Sequence, residues 1–370
     1  MVPPLLINSF FEDFPSIVII VWVLAIVFFF VLISLVFFLK VVRFRLRKEE
    51  LFVETQSKKY EENIVDYLYS NENSHELNSA QKEIIDKLKL SLVRSLDRKI
   101  FINTLLKLKG EVSGNMITVI NQLYKDLGLA TQAQSKLHSK KWHIIAIGIR
   151  DLRRFKVLEA QDEVAKCINH SKMEVRRQAY LYFINLFGFK GLDFLDELKS
   201  SISIWDQIGI LDALQGMETQ EVPDVRKWLS SENDYVVLFT LELVKAYNLR
   251  ETQKELLLLI KHENKEIRLK TIRLLNYLYI IEAKQVLINT YENLTIKEKI
   301  AVFELLENIG VEVREEGAFV LKHINSKVFE IKVLALKILK QIDISKFIGL
   351  KNETNVLANL KVINYLENNP

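Results

Sequence analysis

The stretch NKEIRLKTIRLLNYL, residues 264–278, sets Ile267, Thr271, Leu275 and Leu278 four, eight and eleven residues along from the first. In an α-helix those offsets fall on one face. SKMEVRRQAYLYFINLF (171–187) upstream and SKVFEIKVLALKILKQI (326–342) downstream have the same rhythm. Taking Ile267 as a lead position, equivalent residues are Ile144, Val175, Asp206, Val236, Ile267, Glu298 and Ile331, at steps of 31, 31, 30, 31, 31 and 33. Four residues on stand Gly148, Ala179, Ile210, Thr240, Thr271, Val302 and Ala335, mostly small or β-branched. Eight on stand Leu152, Phe183, Leu214, Val244, Leu275, Leu306 and Leu339, and eleven on Phe155, Leu186, Met217, Tyr247, Leu278, Ile309 and Ile342.

Between these segments lie shorter helical patterns such as EAQDEVAKCI, TQKELLLLIK and AKQVLINTYE, and Pro223 in EVPDVRKWL suits the first turn of another. A helix–turn–helix recurring about every 31 residues predicts an all-α fold, an α-solenoid of about seven helical hairpins. Composition agrees. Only 5 Pro and 11 Gly occur in 370 residues that are 49% hydrophobic, too few turn-formers for a many-stranded β fold. The single cysteine, Cys167, rules out an intrachain disulfide.

Charge is unevenly spread. Of the net +4, residues 1–39 hold −2 through Glu12 and Asp13. Residues 40–48 hold +5 through Lys40, Arg43, Arg45, Arg47 and Lys48, which leaves +1 for residues 49–370. The basic excess follows IVIIVWVLAIVFFFVLISLVFFL, residues 17–39, a run of 23 residues without a charge. As a helix it is about 34 Å long, enough for a hydrocarbon core of about 30 Å. A core helix is rarely apolar on every face. A cleaved leader would need a basic start, a shorter apolar core and a small-residue cleavage site. The run therefore reads as a retained single-pass helix in the inner (plasma) membrane. The downstream cations place the N-terminus outside and the main body in the cytoplasm.

The expected organisation is a short extracytoplasmic segment (1–16), the membrane helix (17–39), a basic juxtamembrane helix and linker (40–75), a helical cap (76–137), repeats (138–345) and a C-terminal capping helix (346–370). Val42, Leu46, Val53, Tyr60, Ile64 and Leu68 make residues 40–69 helical, lying along the body or the membrane surface, or pairing as a stalk. NENSHELN, 71–78, reads as a loop, and amphipathic helices follow at about 80–108 and 115–127. The segments MEVRRQA and KEIRLKT resemble the HEAT-repeat family of the phycobilin-lyase type over residues 140–345, with Asp206 and Glu298 departing from the usual Val or Ile. With its apolar leading helix and KKWHIIAIGIRDL, the chain also looks like membrane-anchored HEAT-repeat proteins of Bacteroidota-like bacteria. That resemblance implies a part in envelope or exopolysaccharide synthesis beside a membrane enzyme such as a glycosyltransferase.

No phosphate-binding, dinucleotide, H-E-x-x-H or G-x-S-x-G motif occurs. Cys167 and His170 have a spacing two ligands could share, but zinc needs four, and His170 falls five residues before its lead position, as do His262, Ser139 and Ser231. A repeated polar loop explains them better. Arg176 and Arg268 either bridge neighbouring repeats or bind a ligand, and Trp142, Trp205 and Trp228 are expected in the core. The first repeat is basic at Lys136, Lys140, Lys141, Arg150, Arg153, Arg154 and Lys156 against Asp151. That face is either solvated or meets an acidic protein or anionic headgroups. The candidate lipid or partner contacts are Lys40, Arg43, Arg45, Arg47, Lys48, Lys140, Lys141, Arg150, Arg153 and Arg154.

The expected function is a non-enzymatic scaffold or adaptor that docks a membrane-embedded or membrane-recruited protein. No cofactor, metal, nucleic acid or small-molecule substrate is expected. The other class considered is a HEAT-like enzyme, a DNA glycosylase or a chromophore lyase. A DNA-processing solenoid should be strongly basic, and the body nets only +1.

Overall fold

A computed structural model describes residues 16–70, 78–216, 221–312, 315–353 and 357–368. The expected extracytoplasmic segment up to residue 15, most of the 71–78 loop and Met217 lie outside them. The chain divides into two compact units, Met1–Ala130 and Thr131–Pro370. All regular structure among the described residues is helical.

The first unit begins with one 54-residue helix, α1 (Ser16–Tyr69), followed by α2 (Ser79–Ser91), α3 (Ser95–Glu111) and α4 (Asn115–Asp126). No Gly or Pro interrupts α1. From Ile20 to Leu39 every large apolar side chain is exposed, and the mean hydropathy there reaches 3.2, long and apolar enough for a membrane crossing. Its far end is different. Tyr60, Ile64, Tyr67 and Leu68 are buried, Tyr60 edge-on to Phe101 at 5.3 Å, and Ser57 shares a 2.8 Å hydrogen bond with Thr104. Desolvation pushes the Tyr67 hydroxyl up to about 12.

The helix expected over 80–108 is broken at residues 92–94. Arg98 donates to the carbonyls of Leu92 (3.1 Å) and Val93 (2.6 Å), just past the end of α2, so a side chain holds the break, and Arg94 pairs with Asp97 at 2.7 Å. Asn78 opens α2 with a reciprocal capping box to Gln81.

A short helix, α5 (Leu129–Leu137), leads into the second unit: α6 (Trp142–Arg154), α7 (Gln161–Ala165), α8 (Met173–Phe187), α9 (Ile204–Gln215), α10 (Arg226–Leu229), α11 (Asp234–Tyr247), α12 (Gln253–Leu259) and α13 (Lys265–Tyr277). Then come α14 (Ala283–Thr290), α15 (Ile296–Ile309), α16 (Glu315–His323), α17 (Phe329–Ile342), α18 (Ile344–Glu353) and α19 (Leu357–Asn368). The lead positions fall in α6, α8, α9, α11, α13, α15 and α17, and these helices neighbour one another in chain order. Each of α7, α10, α12, α14 and α16 packs on the lead helix that follows it. A ladder in which each hairpin touches mainly the next is the organisation of an α-solenoid. Every residue at offsets four and eight is buried, and at offset zero only Ile144 is half-exposed.

The loops repeat as faithfully. Five residues before the lead position, Ser139, His170, Ser231, His262 and Ser326 each accept the backbone N–H two residues on, at 3.0–3.2 Å. Twelve residues after it, Lys156, Asn248 and Tyr279 take left-handed φ of 50–58° and Gly310 takes 87°, turning the chain out of the helix.

Three expectations change. Pro223 lies ahead of α10, in the irregular lead-in 221–225, rather than in its first turn. The C-terminal cap is two helices, α18 and α19, whose Phe347, Val362, Ile363 and Leu366 close the core against Leu336 and Leu339. A ten-residue 3-10 segment, Gly188–Glu197, fills the place of a second helix between α8 and α9. It needs Gly191, where a Cβ would collide with the Phe183 carbonyl.

Candidate docking surfaces

Lys40, Arg43, Arg45, Arg47 and Lys48 are all exposed on α1, directly after its apolar stretch. No break separates them from that stretch, so they ride on a rigid element. The charges begin where the hydrocarbon-compatible surface ends.

The basic face of α6 is less open than the sequence suggests. Lys140 and Lys141 are exposed. Arg150 is half-buried, with a guanidinium nitrogen 3.7 Å from the buried Asp151, which also takes Lys136 at 3.1 Å. Arg153 is half-buried too, and burial, with the Arg154 and Arg150 charges beside it, lowers its hold on its proton. Part of this cluster therefore neutralises a carboxylate inside the ladder.

The two acidic lead residues have a structural account. Asp206 and Glu298 are the third residues of α9 and α15, each closing a capping box with Ser203 or Thr295. The preceding repeat supplies the counter-charge: Arg177 Nε meets Asp206 at 2.6 Å and Arg268 Nε meets Glu298 at 2.8 Å. Burial works against ionisation of Glu298, but hydrogen bonds from Thr295 and the Arg268 charge outweigh it, and its pKa is lowered. Arg268 also donates to the carbonyls of His262 and Glu263, so it bridges repeats and ties its own loop. Arg176 makes only the second kind of contact, with His170 and Ser171, and Arg177 is the bridge in that repeat. The sequence held the signal, since S-I-W-D and T-I-K-E are capping-box spacings.

A groove of about 560 Å³ runs across α11, α13 and α15. Leu241 and Leu274 form its floor. Glu242 is neutralised by Lys270 at 3.0 Å, Asn308 donates to Asn276 at 2.9 Å, and Lys245 lies 5.6 Å over the Tyr277 ring. Arg273 stands exposed at its rim. The groove is net-basic with one aromatic wall, Tyr277, and sequence reading missed it because its polar residues do not repeat from hairpin to hairpin.

Two tryptophans expected in the core are outside it. Trp142 is 40% exposed and Trp205 74%, whereas Trp228 is buried, its indole N–H donating to Asp196 at 2.6 Å. Cys167 is buried and its thiol pushed up by desolvation and Glu163, and among the described residues no group of three or more His, Cys, Asp or Glu could hold a metal ion.

No protein-family model matches the chain, and no curated protein does. Solved structures similar to it include an engineered protein (14% identity, TM-score 0.38, covering 84% of this chain and 98% of that one). Another is Kap95p, whose binding induces the switch loops of RanGDP to adopt the GTP-bound conformation (10% identity, TM-score 0.43, 86% and 52%). A third is Kap121p bound to Ste12p (12% identity, TM-score 0.39, 82% and 39%).

Proposed function

We propose that the protein is a membrane-anchored, non-enzymatic scaffold whose HEAT-like array, seven hairpins of the phycobilin-lyase type, docks a protein partner at the cytoplasmic face of the inner membrane. One observation carries this reading. The exposed apolar stretch and the buried Tyr60, Ile64, Tyr67 and Leu68 belong to a single helix, so the candidate membrane span continues without a break into the helix that packs in the first unit's core. A leader that is removed would take part of that helix with it. The five cations at residues 40–48 support the cytoplasmic side. The basic groove around Arg273 and Tyr277 suits a partner segment carrying acidic side chains. The resemblance to membrane-anchored HEAT-repeat proteins adds envelope or exopolysaccharide synthesis as the setting, with a membrane enzyme as partner.

Purification of the full chain in mild detergent, with identification of what travels with it, tests the proposal. A stoichiometric membrane-protein partner lost on Arg273→Glu and Lys245→Glu is expected. Turnover of a small molecule by the chain without any partner would favour the enzyme reading instead.

A further inference from the structure

Among the large apolar side chains left in water on the second unit, one set recurs at a fixed position. Two residues before the lead position, in the first helical turn, stand Trp142, Met173, Ile204, Ile296 and Phe329, all exposed. In α9 the next residue, Trp205, is exposed as well, and Ile208 one turn on is 50% exposed. Single apolar residues on a surface need no account, but a contiguous set marks an interaction site. The first three stand at the starts of consecutive neighbouring helices, since α6 neighbours α8 and α8 neighbours α9. The loops entering α8 and α9 are joined by Asn169, which donates to the Glu197 carbonyl at 2.8 Å and accepts the Lys199 N–H at 2.7 Å.

The charges around them are one-sided. Lys140, Lys141 and Lys172 precede the apolar residues in the same turns, and Glu174 is the only acid in residues 139–143, 170–174 and 201–205. In the next two repeats the equivalent stretches carry Glu232, Asp234, Glu263 and Glu266 against Lys265, so the basic apolar patch ends after α9.

We infer that this edge, formed by Trp142, Met173, Ile204 and Trp205 with Lys140, Lys141 and Lys172, seats on the headgroup layer of an anionic bilayer. Indole rings settle at the boundary between headgroups and acyl chains, and lysine stems reach from there to lipid phosphates. The core of a protein interface is depleted in lysine. Its tryptophan would be expected in a well-packed centre, whereas Trp142 and Trp205 stand exposed at helix starts. The inference rests on the anchored reading of α1, which holds the bilayer at high effective concentration and so lets a weak contact count.

The test uses the full chain, carrying Cys167→Ser and a polarity-sensitive dye on Trp205→Cys, in vesicles of phosphatidylcholine alone or with phosphatidylglycerol. Spin-labelled lipid should quench this dye about threefold more in the anionic vesicles, an electrostatic enrichment of the kind basic segments show. The same dye on Leu258→Cys, exposed on α12, should respond equally in both. Reversing Lys140, Lys141 and Lys172 to Glu should bring quenching at position 205 down to its neutral-vesicle level with helicity unchanged. On the unaltered chain, Lys140 and Lys141 should be protected from amine acylation by anionic vesicles relative to detergent. Equal quenching in both vesicle types, or no response to the lysine reversals, together with unprotected lysines, would overturn the inference and leave a protein-facing edge. Carbonate extraction of the chain from the vesicles would overturn the anchored reading separately, since a chain that resists extraction while position 205 stays unquenched fails on the edge alone.

Discussion

Two threonines at the same offset in adjacent repeats show how narrowly the interior is satisfied. Thr240 and Thr271 are both fully buried four residues after a lead position. Thr240 Oγ1 donates to the Val236 carbonyl at 2.7 Å, while Thr271 Oγ1 is enclosed with no hydrogen-bond partner. An unsatisfied buried hydroxyl costs more than its removal. Thr271→Val is therefore expected to stabilise the protein by about 1 kcal/mol and Thr240→Val to destabilise it, as urea denaturation would show. Glu298 gives the pH counterpart. Its folded pKa is lowered, so its contribution to stability is complete above the ordinary carboxylate range and is lost as pH falls through the folded value. Arg268→Met leaves the carboxylate buried without its 2.8 Å partner and should cost about 3 kcal/mol at neutral pH. The loss should shrink on acidification, because protonated Glu298 no longer needs the guanidinium. A pH-independent difference between the two proteins would contradict this account.

At the scale of elements, the ladder is held by side chains whose positions recur. Leu275 is fully buried between α13 and its neighbours, and Leu275→Ala should destabilise by about 2–5 kcal/mol in the same denaturation assay, depending on how far the site collapses. These positions could be read from sequence because repetition averages out single exceptions: a face defined by offsets four, eight and eleven survives an Asp or a Glu at offset zero. What could not be read follows from the same logic. The break between α2 and α3 depends on Arg98 reaching two carbonyls, an arrangement that occurs once. The 3-10 segment after α8 depends on Gly191 touching the Phe183 backbone. Residue type points Trp142 and Trp205 to the core, but their offsets of −2 and −1 lie off the inward face, and both are exposed. Register predicted their exposure better than hydrophobicity did. The α6 arginines show the reverse error, since their charge suggested solvent and Asp151 draws Arg150 toward the interior.

At the scale of the whole molecule, the proposed anchoring turns on the direction in which α1 would cross a bilayer. At 1.5 Å per residue, about 30 Å of helix separate Lys40 from Tyr60, the first buried side chain of the first unit's core. Over the nine residues from Lys40 the helix carries five cations, all exposed, and no acid. Moving that segment across a membrane would require desolvating each cation, whereas leaving it inside places it against an anionic leaflet, worth about 1 kcal/mol per charge near the surface. The upstream flank offers no competing lysine or arginine. A reporter joined after Pro370 should therefore be active only in its cytoplasmic form, and protease added to intact cells should leave residues 40–370 whole. Replacing Lys40, Arg43, Arg45, Arg47 and Lys48 by Gln removes the bias while sparing the apolar length, so both orientations should then appear. Retention of a single orientation after that replacement would mean that folding of the helical units, rather than flanking charge, decides which side they occupy.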